Sequence, residues 1–183
     1  DVCSSDLARR LQHSSGSTTP PPAPPRERGG EARSTSRVLS SAPVVTSLAG
    51  VDLSPKMIDF ARMTGLYDRL IAGDVVDFLA HENAASSDLI LAADVLVYIG
   101  DLAPLLAQCA RTLEHDGLVA FSVQRCEDAD WKLGADLRYA HSEAYLRGLA
   151  VAHGFDAALI EEASTRKDKG VDAPGLVCVL ARQ

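Results

Sequence analysis

The sequence predicts an α/β domain built on a doubly wound, mostly parallel sheet, and three observations carry that prediction. From about Val44 onward, short apolar runs alternate with helical patterns, the rhythm of parallel strands joined by crossover helices. Three of the runs end on or beside a carboxylate: Ser47 to Asp52, residues 69–72 followed by Gly73-Asp74, and Asp88 to Ala93 followed by Asp94. The run 88–93 is nearly all apolar after its first residue, as expected for a strand covered on both faces, and it is the best candidate for the centre of the sheet.

The elements follow in order. Residues 14–37 are Ser, Thr, Pro, Arg and Gly almost throughout, with Pro20-Pro21-Pro22-Ala23-Pro24-Pro25 at the centre, so no periodic apolar face forms and 1–37 reads as disordered. After the strand ending at Asp52, Ser54 and Pro55 supply an N-cap and a first-turn proline, Met57, Ile58 and Ala61 supply one helical face, and Gly65 ends the helix. A strand at 69–72 and a short helix from Asp74 to His81 come next. Asp101 caps a helix whose Leu102, Leu105, Leu106, Cys109 and Leu113 recur at helical spacing. His115-Asp116-Gly117 turns into a strand from Leu118 to Val123, Ser142 caps a helix from Glu143 to His153 that Gly154 stops, and 155–163 with 174–181 form a closing pair of strands.

With 183 residues and 46% apolar content, the chain can bury one core of ordinary size, so a single domain is expected. Eighteen basic against 25 acidic residues give a net charge of −7, and the basic residues are scattered, which argues against a nucleic-acid partner. The longest apolar stretch, Leu89 to Ile99, is short and interrupted by Asp94, so no membrane span is expected. Cys3, Cys109, Cys126 and Cys178 form no close pair and follow no signal-like run; reduced thiols in cytoplasm fit, with Cys109 and Cys178 as core fillers.

A doubly wound sheet binds its ligand beyond the carboxyl ends of the strands, so the strand-end residues are the candidates for a site. Asp52 suits a ribose, because one carboxylate accepts from both vicinal hydroxyls; it equally suits the dipole of the helix that follows. Asp74 suits an adenine amino group or the cap of its own helix. Asp94, among apolar neighbours, faces the cleft or is held by a backbone hydrogen bond. Tyr98 is a candidate wall for an acceptor pocket, or packing. The segment Arg125 to His141 is long for a connection and contains Trp131, Arg138, Tyr139 and His141, which suits a lid over an acceptor. His141 is the candidate general base, or an exposed residue ahead of the Ser142 cap. His81, His115 and His153 lie at helix ends, where the dipole explains them.

Taken together, Gly50-Val51-Asp52-Leu53-Ser54-Pro55-Lys56-Met57, Gly65-Leu66-Tyr67-Asp68, Gly73-Asp74, Ala93 to Leu102, Phe121-Ser122-Val123 and Arg138-Tyr139-Ala140-His141-Ser142 resemble the methyltransferase domain of bacterial tetratricopeptide-repeat methyltransferases, over residues 44–183. The resemblance implies a class I, Rossmann-like methyltransferase sheet with an antiparallel last strand, and S-adenosyl-L-methionine as cofactor. It implies cofactor contacts from Gly50, Asp52, Leu53, Met57, Gly73, Asp74, Val75, Ala93 and Asp94, with His141 and Tyr98 on the catalytic side. The acceptor, small molecule or protein, is not specified, and a tetratricopeptide-repeat domain upstream in the parent protein is implied. No metal is expected.

One part of the family pattern is missing. A strand ending in an acidic residue, a glycine-rich loop and a helix should precede Gly50, and nothing between Arg37 and Ala49 lets a backbone approach a cofactor closely. Residues 1–43 are accordingly read as foreign to the native frame: Asp1-Val2-Cys3-Ser4-Ser5-Asp6-Leu7 resembles a translated sequencing adapter, and the composition switches where the loop belongs. At Arg33-Ser34-Thr35-Ser36 a neighbouring frame can read Leu-Asp-Leu, the expected strand end. The first strand and helix are therefore expected to be incomplete, with Val38-Leu39 or Val44-Val45 as poor substitutes, and cofactor binding by this chain weak or absent. Two other functions compete. A nicotinamide-dependent oxidoreductase would use the same ribose carboxylate, but Tyr98, Tyr139 and Tyr145 have no Lys four residues later. A non-catalytic binding module would keep the fold without the loop.

Overall fold

The structure, a computed structural model, describes residues 45–168 and 171–183, with side chains described at 45–164 and 173–183. The expectations for residues 1–43, for Cys3 and for Val38-Leu39 lie outside the described residues.

The described chain builds two sheets. β1 (Ala49–Asp52) and β2 (Arg69–Ala72) pair in parallel, from Ala49 opposite Arg69 to Asp52 opposite Ala72. α1 (Pro55–Met63) joins them, with the Ser54 hydroxyl accepting from the Met57 N–H, Pro55 in the first turn and Ile58 buried. Gly65 ends the turn after it at φ +66°, a conformation that costs glycine little. α2 (Val75–His81) then carries the chain to β3 (Ser87–Ala92), a short 3₁₀ turn Leu96–Tyr98, α3 (Ala103–Thr112) and β4 (Leu113–Arg125). β5 (Trp131–Leu133) and β6 (Tyr139–His141) precede α4 (Glu143–Ala152), β7 (Phe155–Asp168) and β8 (Val171–Arg182).

The second sheet has six strands in the order β5-β6-β4-β8-β7, with β3 also on β4. β3 runs parallel to β4 up to Ala92 opposite Phe121, and β6 pairs in parallel with Gln124 and Arg125. β8 occupies the other edge of β4, with Gln124 opposite Gly175, so β6 continues along the edge that β3 leaves. β8 is antiparallel to both β4 and β7, as expected of the last strand. Between β4, α3, α4 and β8 lies the core, with Leu106, Val123, Leu146, Leu176 and Leu180 almost without exposed surface. Cys109 and Cys178 fill it as free thiols, and burial pushes each up to about 12.

The expected turn His115-Asp116-Gly117 is a bulge within β4: Ser87 pairs with Leu113 but Leu89 already pairs with Leu118, and Asp116 takes φ +65°. The segment after Arg125, expected as a long connection, contains the hairpin of β5 and β6, which extends the sheet.

The two sheets share no strand. α2 packs on both β1 and α3, which ties the first sheet to the second, and β1 and β3 exchange no hydrogen bonds. Leu89 and Leu91 of β3 are 49% and 45% exposed, which corrects the expectation of a central strand covered on both faces. The physical reason is that neither a strand pairing with the outer edge of β3 nor a helix covering it occurs among the described residues. Leu53, Phe60 and Met63, around α1, are exposed as well.

Candidate functional site

The carboxyl ends of β1 and β2 meet where the Gly73 N–H donates to the Asp52 carbonyl at 3.0 Å. Asp52 Oδ1 accepts from the Ser54 N–H at 2.7 Å, and Oδ2 takes no hydrogen bond among the described residues. One oxygen thus stabilises the entry to α1 while the other is available. Asp74 is the N-cap of α2, its Oδ1 accepting from Val76 and Asp77 at 2.8 and 3.1 Å. Gly50 has a packing reason to lack a side chain: a Cβ there would lie 2.9 Å from both Leu70 Cδ2 and Tyr67 Cε1. Leu53 is exposed, and Met57 in α1 and Val75 at the start of α2 are half-buried. A concavity of about 370 Å³ takes in Gly73 and Asp74, together with Arg69, Ile71, Asp77 and Phe78, on the β2–α2 side; Asp52 and Asp94 do not line it.

Ala93 and Asp94 follow the carboxyl end of β3, both exposed. Asp94 takes φ +55°, and its backbone N–H donates to the Ser122 hydroxyl of β4 at 2.9 Å. Such a φ is uncommon outside glycine, Asn and Asp, so Ser122 pins a turn that the sequence did not announce. The three carboxylates therefore stand at strand ends as expected, but Asp52 and Asp74 belong to the first sheet and Asp94 to the second.

On the far side of Asp94, the 3₁₀ turn, the loop at Gly100 and the β5–β6 hairpin converge. A Cβ on Gly100 would lie 2.9 Å from both Trp131 Cζ3 and Tyr139 Cε1, and those two rings meet edge to face at 5.6 Å. His141 is fully buried, with Nε2 2.9 Å from the Gly100 carbonyl, so Nε2 carries the proton; Nδ1 has no hydrogen-bond partner. Burial holds its pKa below the ordinary imidazole value, partly offset by the Gly100 carbonyl, and then that of Ile99, which favour the protonated ring. The ring stacks on Tyr145 at 6.1 Å, whose hydroxyl accepts from the Leu102 N–H and donates to Asp101 Oδ1, both at 2.9 Å. Burial pushes the Tyr145 hydroxyl up to about 12, while the Ala103 N–H and then the Tyr145 hydroxyl hold the Asp101 carboxyl below its usual range. Tyr98 is 60% exposed and lies under the Arg138 guanidinium, 5.7 Å from ring centre to Cζ.

Sequence reading singled out His141, Tyr98 and Arg138 but missed Gly100, Tyr145 and Ser122. Tyr145 is 44 positions from Asp101 and looks like an ordinary helical aromatic, so nothing local marks the pair. Among the described residues no three His, Cys, Asp or Glu side chains are grouped to hold a metal ion, and no helix is long and apolar enough to cross a membrane.

Residues 30–121 match the model of the methyltransferase domain family. The chain belongs to that family. The match takes in β1 to β3 and ends within β4, starts ahead of the boundary at 44 expected from composition, and contains every cofactor-side candidate. None of the curated protein sequences compared with this methyltransferase-family chain matches it. Among solved structures, it resembles a SAM-dependent methyltransferase from Methanosarcina mazei at a TM-score of 0.61 and 13% identity, over 74% of this chain and 82% of that one. It also resembles the Burkholderia thailandensis 1,6-didemethyltoxoflavin-N1-methyltransferase, whose structure holds 1,6-didemethyltoxoflavin and S-adenosylhomocysteine, at 0.58 and 20% over 74% and 60% of the two chains. A third is the magnesium protoporphyrin IX methyltransferase from Synechocystis PCC 6803 with bound SAM, at 0.54 and 18% over 75% and 60%. At these identities the likeness establishes the Rossmann-like fold of class I methyltransferases.

Proposed function

We propose that the native form of this methyltransferase-family domain binds S-adenosylmethionine at the strand ends of β1, β2 and β3 and transfers its methyl group to an acceptor held beside the β5–β6 hairpin. The observation that carries this reading is Asp52: a carboxylate at the end of the strand preceding α1, with one oxygen fixed by Ser54 and the other open to accept from a ribose. In the same reading Leu53, Met57, Gly73, Asp74 and Val75 surround the adenine, while Gly50, Ala93 and Asp94 border the rest of the ligand. Bound S-adenosylmethionine would supply an activated methyl carbon; the protein would then align it with the acceptor and exclude water. In this reading Tyr98, exposed beyond the end of β3, contacts the acceptor. His141 is assigned a positioning role, holding the hairpin to Gly100, because its unprotonated Nδ1 is sealed from solvent and burial lowers the basicity of the ring, so it is poorly set to take a proton from an acceptor.

The residues present fit one half of such a ligand. The methionine half needs close backbone approach, and the glycine-rich loop that would give it is not among the described residues. We propose from the missing loop that residues 1–43 do not carry the native frame, a reading against which the family match over 30–43 counts, and, from the resemblance alone, that a tetratricopeptide-repeat domain stands upstream in the parent protein. The test is to read the genomic frame across residues 20–44, express the product and titrate it with S-adenosylhomocysteine. Micromolar binding is expected, weakened about 10- to 100-fold by Asp52→Ala, since a charge-assisted hydrogen bond contributes about 1.5–3 kcal/mol. An intact frame without a glycine loop would remove the frameshift proposal, and a product without affinity would remove the methyltransferase reading in favour of a non-catalytic module.

A further inference from the structure

One cation on the acceptor side is unaccounted for. Every other arginine with a described side chain is engaged: Arg62, Arg69, Arg125 and Arg147 by carboxylates, Arg111 and Arg182 by backbone carbonyls. Lys132 is paired with Asp128. The Arg138 guanidinium meets no carboxylate or carbonyl among the described residues; its contacts are the Tyr98 ring and a bond at the 3.5 Å limit to the Tyr98 hydroxyl. The nearest acidic residue in sequence, Asp136, turns its carboxylate to the Gln124 amide and to Arg138's own backbone N–H, each at 3.3 Å. In a protein of net charge −7, an arginine left without an anion is a marked exception.

Two partly exposed aromatic rings, Tyr98 and Trp131, belong to the segments that hold it. Trp131 stands opposite His141, and Leu133 opposite Tyr139, so these four side chains share one face of the hairpin. Trp131 and Tyr139 pack on Gly100, two residues after Tyr98, and Trp131 keeps 40% of its surface exposed. A guanidinium stacked on a ring presents its remaining N–H donors at the edge of that ring, a fork that matches carboxylate or phosphate oxygens. We propose that Arg138, oriented by Tyr98, recognises the anionic group, carboxylate or phosphate, of a small planar molecule that rests against the Tyr98 and Trp131 rings. Its identification as the methyl acceptor rests on the methyltransferase reading above; the anion site itself does not, because it lies in the half of the fold that has its own core.

The test uses the full 183-residue chain carrying ring-labelled tyrosine, with the Tyr98 resonance assigned by Tyr98→Phe. Benzoate, phenyl phosphate and the neutral benzamide are titrated at constant ionic strength. The Tyr98 resonance is expected to move saturably with benzoate or phenyl phosphate, the stronger of the two naming the anion, and to ignore benzamide. Arg138→Gln should weaken that binding at least about tenfold, and Arg138→Lys less, because lysine keeps the charge but not the planar fork. The Tyr139 resonance, unchanged in the free variants, reports that the hairpin is intact. An equal response to benzamide, or undiminished binding by Arg138→Gln, would overturn the anion site whatever the native-frame protein binds. Anion binding at Arg138 alongside a native-frame protein with no affinity for S-adenosylhomocysteine would overturn the acceptor assignment and leave the anion site standing.

Discussion

Replacing Gly100 with alanine tests how the β5–β6 hairpin is held against the loop at Gly100. The new Cβ would sit 2.9 Å from Trp131 Cζ3, 2.9 Å from Tyr139 Cε1 and 3.0 Å from Trp131 Cε3, where ordinary contact begins at 3.4 Å. Each ring must therefore retreat by about half an ångström, and the edge-to-face contact between them leaves neither free to do so alone. Overpacking of this kind costs about 1–3 kcal/mol, which shifts the balance between seated and displaced hairpin about 5- to 150-fold. The same movement pulls His141 away from the Gly100 carbonyl, 2.9 Å from Nε2 in the native arrangement. Trp131 is the chain's single tryptophan, so its emission reports the hairpin without further labelling. Gly100→Ala should red-shift that emission, increase acrylamide quenching and lower the urea midpoint by about 0.5–1.5 M, given slopes of about 1–3 kcal/mol/M. Gly148→Ala is the control, since nothing lies within 4 Å of its new Cβ and an alanine in α4 should be neutral or stabilising by up to about 1 kcal/mol. Unchanged emission, quenching and midpoint in Gly100→Ala would refute the reasoning.

Other outcomes follow from the same contacts. Native His141 has a lowered pKa and the unfolded chain an ordinary one near 6.5, so the unfolded state binds more protons between the two. Stability is then full above about pH 6.5 and falls as pH drops toward the lowered value, at up to about 1.4 kcal/mol per pH unit; urea unfolding of His141→Gln should lose that slope. Tyr145→Phe leaves the Leu102 N–H buried without its acceptor, which should cost about 1–3 kcal/mol in the same assay. Leu91→Lys should change stability by less than about 0.5 kcal/mol and improve solubility, because the residue is 45% exposed on a strand with no second partner among the described residues; a loss of 2 kcal/mol or more, on the order of a core substitution, would mean that the strand is covered in solution.

The local signals in the sequence were followed closely. Ser54, Pro55 and Gly65 bound α1 where the caps predicted, and 69–72 is a strand residue for residue, because caps and a bounded apolar run depend on neighbours within four positions. Asp74 carried two open roles, and the fold uses it as a cap. What escaped reading depends on distant partners. The exposure of Leu89 and Leu91 is decided by what sits beside β3, which the residues of β3 do not encode. β5 and β6 are three residues each, too short for alternation to show, and exist because β4 outruns β3. β7 and β8 extend to Asp168 and Val171, beyond the expected 163 and 174, since pairing with each other sustains a charged stretch that reads as loop. The site was legible as strand-end carboxylates and a histidine near an aromatic segment; that the histidine is a buried latch on Gly100 was not.

The proposed function takes Asp52 as the ribose carboxylate of a methyltransferase-family domain that shows no glycine-rich loop among its described residues. Calorimetric titration of the 183-residue chain with S-adenosylhomocysteine tests that most directly. The expected result is no saturable heat below about 1 mM, a binding free energy weaker than about −4 kcal/mol. A dissociation constant in the micromolar range, lost in Asp52→Ala, would contradict it by showing that this chain already completes the cofactor cradle.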